Sequence, residues 1–340
     1  MKKNLLLCLI LSTLFFIQCS SSSGGTDTAD DTSGGSGNYR QDMRDFVVAI
    51  SEYAKDQEAN FIIIPQNGQD VIVEEDEEID ALGSAGEAYL AAIDGIGRED
   101  LNYGYDADDE ATDADITDSI NSFLAVYEEN DVSVLVTDYT STESKMDDSY
   151  AVNETNNYIS FAANSRELDQ IPDYPATPHN ENAADVATLQ DAQNFLYILN
   201  PTNGGFFPTK AAYLADLQAT NYDALIIDLY YDEDALTSDE VETLKVKDNG
   251  GQRLVICYMS IGEAEDYRFY WDSSWAVGSP DWIAEENVDF PGNFKVQYWN
   301  NDWQSIIYGS AEAYLDKILE AGFDGVYLDL IDAYEYFEGL

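Results

Sequence analysis

Short apolar runs, several of them ending in a carboxylate and separated by stretches of helical spacing, recur along this chain and narrow the folds open to it. Phe61-Ile62-Ile63-Ile64, Val132 to Val136 before Asp138, Ala224-Leu225-Ile226-Ile227 before Asp228, Leu254 to Met259, and Gly325-Val326-Tyr327-Leu328 before Asp329 read as buried strands. Apolar on both faces, such runs suit a parallel sheet, whose chemistry gathers at the carboxyl ends of its strands. Between them the spacing predicts helices, first through Met43, Phe46, Val47, Ile50 and Tyr53, then around residues 85–92, 116–127, 211–219, 239–247 and 311–321. Further strand candidates are residues 93–101, 158–162, 194–199 and 294–299, with Arg98 and Glu99 delivered into a loop. Together they exceed by one the eight strands of a closed (β/α) barrel, and Tyr158 to Ala162 is taken as the accessory.

A chain of 340 residues suits one large barrel or two smaller domains. Its 67 acidic and 15 basic residues give a formal charge of -52, which repels nucleic acid and attracts cations, cationic polymers among them. A solvated acidic surface, as in salt adaptation, is the plainer source of that charge. No glycine-rich phosphate loop, metal-ligand cluster or internal repeat is visible, and no cofactor is called for.

Lys2 and Lys3 precede the apolar run Leu5 to Ile17, short for a bilayer span, and Cys19 and a serine tract follow. Residues 1–19 therefore read as an export signal, with Cys19 placed like a lipoprotein cysteine acylated after cleavage and ordinary secretion as the other outcome. Residues 20–38, rich in Ser, Gly, Thr and Asp, read as a flexible linker. Residues 39–340 form the folded unit. A lipid anchor is the one membrane contact implied. Cys8 leaves with the signal, so Cys257 is the other mature cysteine and no intramolecular disulfide is expected.

Tyr258-Met259-Ser260-Ile261-Gly262-Glu263-Ala264-Glu265-Asp266-Tyr267-Arg268, then Gln297-Tyr298-Trp299 with Trp303-Gln304, then Gly322 to Phe337, resemble the endo-α-1,4-polygalactosaminidase-like family, glycoside hydrolase family 114. The likeness extends to residues 61–68 and 94–101. It implies an α/β fold, a (β/α)8 TIM barrel, acting on an α-1,4-linked polymer that contains galactosamine. The motif order differs from the family's. There, the segment like Phe195 to Ile198 opens the barrel, the segment like Gly322 to Phe337 lies in mid-chain, and segments like residues 46–53 and 61–68 follow it. Here those later segments come first, so the chain reads as a circular permutant cut after the strand bearing Asp329. The helix Met43 to Tyr53 should then cover that last strand across the gap.

Cleavage of a glycosidic bond needs one protonated carboxyl and a second carboxylate as nucleophile or base. The resemblance assigns Asp329 as nucleophile and Glu99 as acid/base. Glu263 is the rival acid/base, Asp138 a lesser rim carboxylate, and Arg98 a partner for one of the acids. Asp228 is expected to line the pocket, against a structural salt bridge, and Glu265 to pair with Arg268. Asp332 either binds sugar amino groups or orients its loop. Aromatic faces cover the C–H faces of pyranose rings; Trp299 and Tyr258 lead the candidates, followed by Tyr230, Tyr267 and Tyr327, the last set one layer below Asp329. An amino-sugar polysaccharide with free amines would meet a carboxylate-rich cleft directly.

Overall fold

The computed structural model describes residues 35, 37–74, 79 and 82–339. The export signal, Cys19 and most of the linker expected over residues 20–38 lie outside the described residues. In chain order the elements begin with α1 (Tyr39–Gln57), β1 (Ile62–Pro65), α2 (Ser84–Ala92), β2 (Gly95–Glu99), α3 (Ala114–Glu129), β3 (Ser133–Tyr139), α4 (Glu143–Thr155) and β4 (Ile159–Ala163). Next come β5 (Phe195–Ile198), α5 (Lys210–Gln218), β6 (Ala224–Ile227), β7 (Tyr230–Tyr231), β8 (Asp234–Ala235), α6 (Ser238–Leu244), β9 (Leu254–Ser260) and β10 (Glu263–Glu265). The last third holds β11 (Ile283–Glu286), β12 (Asn293–Val296), α7 (Asn301–Ile307), α8 (Tyr314–Ala321), β13 (Gly325–Asp329) and α9 (Ala333–Glu338).

The centre is parallel sheet. Five strands run in the order β1-β13-β9-β6-β5 and three in the order β2-β3-β4. Single parallel bridges, Gln66↔Gly97 and Ser160↔Asn194, lie between the edges of the two sheets. Nearly every residue of these strands is buried, which is why their sequences are continuous apolar runs rather than alternating ones.

Two expectations are corrected here. Tyr158 to Ala162, taken as the accessory, supplies β4, which pairs in parallel with β3 from Leu135↔Ile159 to Tyr139↔Ala163. The stretch 294–299 is the accessory instead: β12 pairs antiparallel with β10 and β11 outside the parallel sheet. The residues explain both outcomes. Ser160, the polar residue within β4, is buried with its hydroxyl accepting from Asn153 Nδ2 at 2.9 Å, so its polarity does not exclude the interior. Lys295 in β12 keeps its ammonium at a solvent-facing edge near Glu285, 3.5 Å away, as a one-sided antiparallel strand allows. A third correction concerns Arg98 and Glu99, which are the last two residues of β2 rather than loop residues.

Helix α1 starts at Asn38, whose side-chain oxygen accepts from the Gln41 N–H at 2.9 Å. Its Met43, Phe46, Val47 and Ile50 are fully buried. Polar contacts tie it to the far end of the sequence. The Tyr53 hydroxyl donates to Asp316 of α8 at 2.6 Å, Tyr298 donates to the Tyr39 carbonyl at 2.8 Å, and Arg40 Nε meets Glu338 of α9 at 3.0 Å.

Candidate active site

Asp329 ends β13, the strand between β1 and β9, with Ser260 as its register partner. Close packing sets the strand there: a Cβ on Gly325 would lie 2.4 Å from the Ile62 carbonyl oxygen, so a glycine occupies the position. The Tyr258 hydroxyl donates to Asp329 Oδ2 at 2.7 Å and the Leu330 N–H to Oδ1 at 2.8 Å. Burial pushes the Asp329 carboxyl up to about 8; the Glu99 charge adds to the rise and the Tyr258 hydrogen bond opposes it.

Glu99 ends β2 and is held on both oxygens. Asn67 Nδ2 donates to Oε2 at 3.0 Å, and the Tyr139 hydroxyl donates to Oε1. The Glu99 N–H donates back to Asn67 Oδ1 at 3.1 Å, so one asparagine in the Pro65-Gln66-Asn67-Gly68 turn fixes backbone and carboxylate together. Beneath the two acids lies Tyr327, fully buried, its ring 5.3 Å from that of Tyr197 at an edge-on angle of 61°. Gly97, two residues before Glu99 and on the same strand face, leaves room for it: a Cβ there would fall 1.9 Å from the Tyr327 hydroxyl. The acids thus stand on a floor of tyrosines, as expected for Tyr327.

Beside Glu99 opens a cleft of about 610 Å³, lined among others by Asn67, Arg98, Asp100, Asp332 and Glu335. Burial, followed by the charges of Glu335 and Glu99, pushes the Asp332 carboxyl up to about 7, while Arg98 pulls it down. Arg98 Nη1 donates weakly to Asn67 Oδ1 at 3.4 Å and Gln69 Oε1 at 3.3 Å, and its buried Nε has no partner among the described residues. Arg98 is therefore the cation of an acidic cleft, without a carboxylate ion pair among the described residues.

The other candidates fall elsewhere. Asp228 is buried in a salt bridge, its Oδ2 2.6 Å from Arg268 Nη1, while Arg268 Nε meets Glu265 Oε2 at 2.6 Å. Burial raises the Asp228 carboxyl and Arg268 opposes the rise. Glu263 lies in β10, accepts from Asn287 Nδ2 at 2.9 Å, and has Asn293, Lys295 and Glu265 as charge and hydrogen-bond neighbours. That places it in the antiparallel excursion rather than beside Glu99. Asp138 is fully buried and saturated by Asn102, Tyr103, Ser149 and Asn153, which makes it a structural hub. Asp324, at the opposite end of β13, binds Lys245 at 2.7 Å.

Tyr258 and Trp299, the leading candidates for sugar platforms, sit respectively in the apolar core and half-buried against it. Tyr258 is buried and spends its hydroxyl on Asp329. Trp299 packs against Phe337 at 4.7 Å, Tyr298 at 5.0 Å and Tyr39 at 5.1 Å. Aromatic residues near strand ends serve core and cleft alike, and spacing does not separate the two. Asn67, Tyr139 and Glu335 were missed as site residues. Asn67 did carry a signal, the Asn-Gly turn after a strand, and its φ of 59° fits that turn.

Residues 175–340 match the sequence profile of glycoside-hydrolase family GH114. An uncharacterized protein of Thermotoga maritima is 36% identical over 138 residues, 40% of this chain and 41% of its own length. One from Methanocaldococcus jannaschii is 38% identical over 154 residues, 44% and 42% of the two chains. A third, from Deinococcus radiodurans, is 53% identical over 83 residues, 24% and 26%. The matched part spans about two fifths of the first two relatives, at 41% and 42% of their lengths. Through residues 175–340, which carry β13 and Asp329, the chain belongs to glycoside-hydrolase family GH114.

Proposed function

We propose that the chain is an exported endo-glycoside hydrolase that cleaves α-1,4 bonds of a galactosamine-containing polysaccharide with two carboxyl groups. The observation that carries this reading is the placement of Asp329 and Glu99 at the carboxyl ends of parallel strands on either side of β1, beside an open cleft. Asp329 is the nucleophile and Glu99 the acid/base. The raised Asp329 carboxyl holds a proton at neutral pH; in the proposed step that proton passes to the Glu99 carboxylate, leaving Asp329 ionised for attack and Glu99 charged with the proton it gives to the leaving oxygen. A substrate ammonium beside it favours the charged form, so a cationic sugar helps to ionise its own nucleophile. Asp329 then attacks the anomeric carbon while Glu99 protonates the departing oxygen. Tyr258 and the Leu330 N–H orient the attacking carboxylate; Asn67 and Tyr139 orient the acid. Asp332 and Arg98 contact the sugar or its amine from the cleft wall.

Product release from de-N-acetylated and acetylated α-1,4-galactosamine polymers tests this, with Asp329→Asn and Glu99→Gln as controls. The expected result is cleavage of the deacetylated polymer, weakened by salt and lost in both folded variants. Binding without cleavage would replace the enzyme by a carbohydrate-binding protein; equal cleavage of both polymers would remove the electrostatic part.

The same reading takes the two parallel sheets as one (β/α)8 TIM barrel, supported by the bridges Gln66↔Gly97 and Ser160↔Asn194 between their edges. It also takes the motif order as a circular permutation, supported by the 3.0 Å contact of Arg40 with Glu338. A re-ordered chain that joins residue 338 to residue 39 through a short linker and begins near residue 188 is expected to fold with a similar Tm and to stay active. Failure to fold would count against the permutation. For Cys19, the expectation is incorporation of labelled fatty acid by a producing bacterium, abolished in Cys19→Ser. Release of the unlabelled wild type into the medium would leave ordinary secretion.

A further inference from the structure

On the other side of Asp329 from the Glu99 cleft, a second opening of about 310 Å³ is lined by Tyr230, Asp232, Glu233, Tyr267, Arg268 and Phe269. The strand order fixes its place. Tyr230 follows β6, and Tyr267 to Phe269 follow the β10 excursion from β9, whereas Glu99 ends β2. In the order β2, β1, β13, β9, β6 the two openings lie two strand spacings, about 10 Å, to either side of Asp329. We propose that this second opening is a carbohydrate subsite that holds a cationic sugar unit of the polymer while the Glu99 cleft holds the units beyond the scissile bond.

The surface has the chemistry of such a subsite. Tyr267 and Phe269 are 63% and 40% exposed, although aromatic rings of this size gain by burial. They are not loose. The Tyr267 hydroxyl donates to Glu265 at 2.5 Å, its ring lies 5.3 Å from the Arg268 guanidinium, and Phe269 stacks on Tyr230 at 5.8 Å and 27°. Rings fixed in this way lose little freedom when a pyranose covers them. At the rim, Asp232 and Glu233 are exposed and have no cationic partner among the described residues, while the next residue, Asp234, pairs with Lys210 at 3.5 Å. Arg268 itself is held by Asp228 and Glu265, so its charge is balanced within the protein. Lys317, 5.2 Å from the Phe269 ring, pairs with Glu312 at 3.2 Å, so Asp232 and Glu233 leave an excess of negative charge over the rings that suits an ammonium-bearing sugar. A subsite on each side of the cleaved bond lets the enzyme cut inside a chain.

The inference rests on the glycosidase reading, and its test separates the two. Deacetylated galactosamine oligomers of increasing length are offered to the full chain, to Tyr267→Ala and to the double variant Asp232→Asn with Glu233→Gln. Tyr267→Phe, which keeps the ring, serves as a control for packing. The expected result is a five- to tenfold rise in KM for long oligomers in the first two variants, with little change for the shortest one cleaved and none in Tyr267→Phe. Cleavage by the wild type with unchanged KM in the variants overturns the subsite and leaves the glycosidase standing. If the wild type cuts nothing, oligomer binding is read by titration calorimetry. Binding that weakens in the variants upholds the subsite; equal binding, or none, overturns it.

Discussion

Asp329→Asn is expected to lower turnover by on the order of 10³-fold or more while raising the melting temperature above neutral pH. Both effects come from the same carboxyl. In the unfolded chain an aspartate titrates near 3.9; in the fold, burial and the Glu99 charge push Asp329 up to about 8. The folded state therefore holds this proton more tightly than the unfolded state. Its contribution to stability is complete below about pH 4 and is lost as pH rises through about 8. An amide stays neutral throughout, keeps a partner for the Leu330 N–H, and lets the Tyr258 hydroxyl turn from donor to acceptor. The stability difference should be small at pH 4 and grow to on the order of 5 kcal/mol by pH 8, at about 1.4 kcal/mol per pKa unit over about four units. Thermal melts across that range measure it. A difference independent of pH would mean that Asp329 is not a desolvated acid.

Arg268→Ala carries the second large effect, a loss of about 3–5 kcal/mol near neutral pH, read by chemical denaturation. The guanidinium is the shared partner of buried Asp228 and Glu265, at 2.6 Å from each. Removing it leaves two carboxylates in the interior with their Coulombic partner gone, and water cannot fully replace it. The sign with pH follows from Asp228, whose carboxyl burial raises and Arg268 holds down. Without the arginine that pKa climbs further, so the variant regains stability as pH falls and the carboxyl becomes neutral. Activity should fall as well. Arg268 lies 5.8 Å from the ring of Tyr258, which positions Asp329. An equal loss at pH 4 and pH 8 would show that packing, not charge, carries the effect.

Asp329 and Glu99 illustrate what was legible beforehand. Asp329 could be marked because a carboxylate at the end of an apolar run is visible one residue at a time, and both acids were given their roles because the motifs around them resemble those of one family. Their coupling through space was not visible, since it depends on β2 and β13 flanking β1. Helix α4 was not foreseen at all. It has little amphipathic pattern, and half of the residues it buries are polar: Ser149 and Asn153 bind Asp138, so the acid ending the β3 run became a hub and not a rim residue. Glu263 stands in a long family-like motif, yet that motif leaves the parallel sheet after β9 and carries the side chain away with it.

Local chemistry determined the alternation of strand and helix, because burial on two faces demands continuous apolar runs and a helix face demands three- and four-residue spacing. The same local chemistry determined which residues could serve as acids. Tertiary structure alone decided which acids did. Asp138, Asp228 and Asp329 each stand at or near the end of a buried run, but only the neighbours brought by other helices, loops and strands distinguish them. Asparagine and serine saturate the first, an arginine neutralises the second, and the third is left partly buried, where desolvation and then the charge of Glu99 raise its pKa. A carboxylate's protonation is set by desolvation and by charges within a few ångströms, and those are properties of the packed chain rather than of the residue.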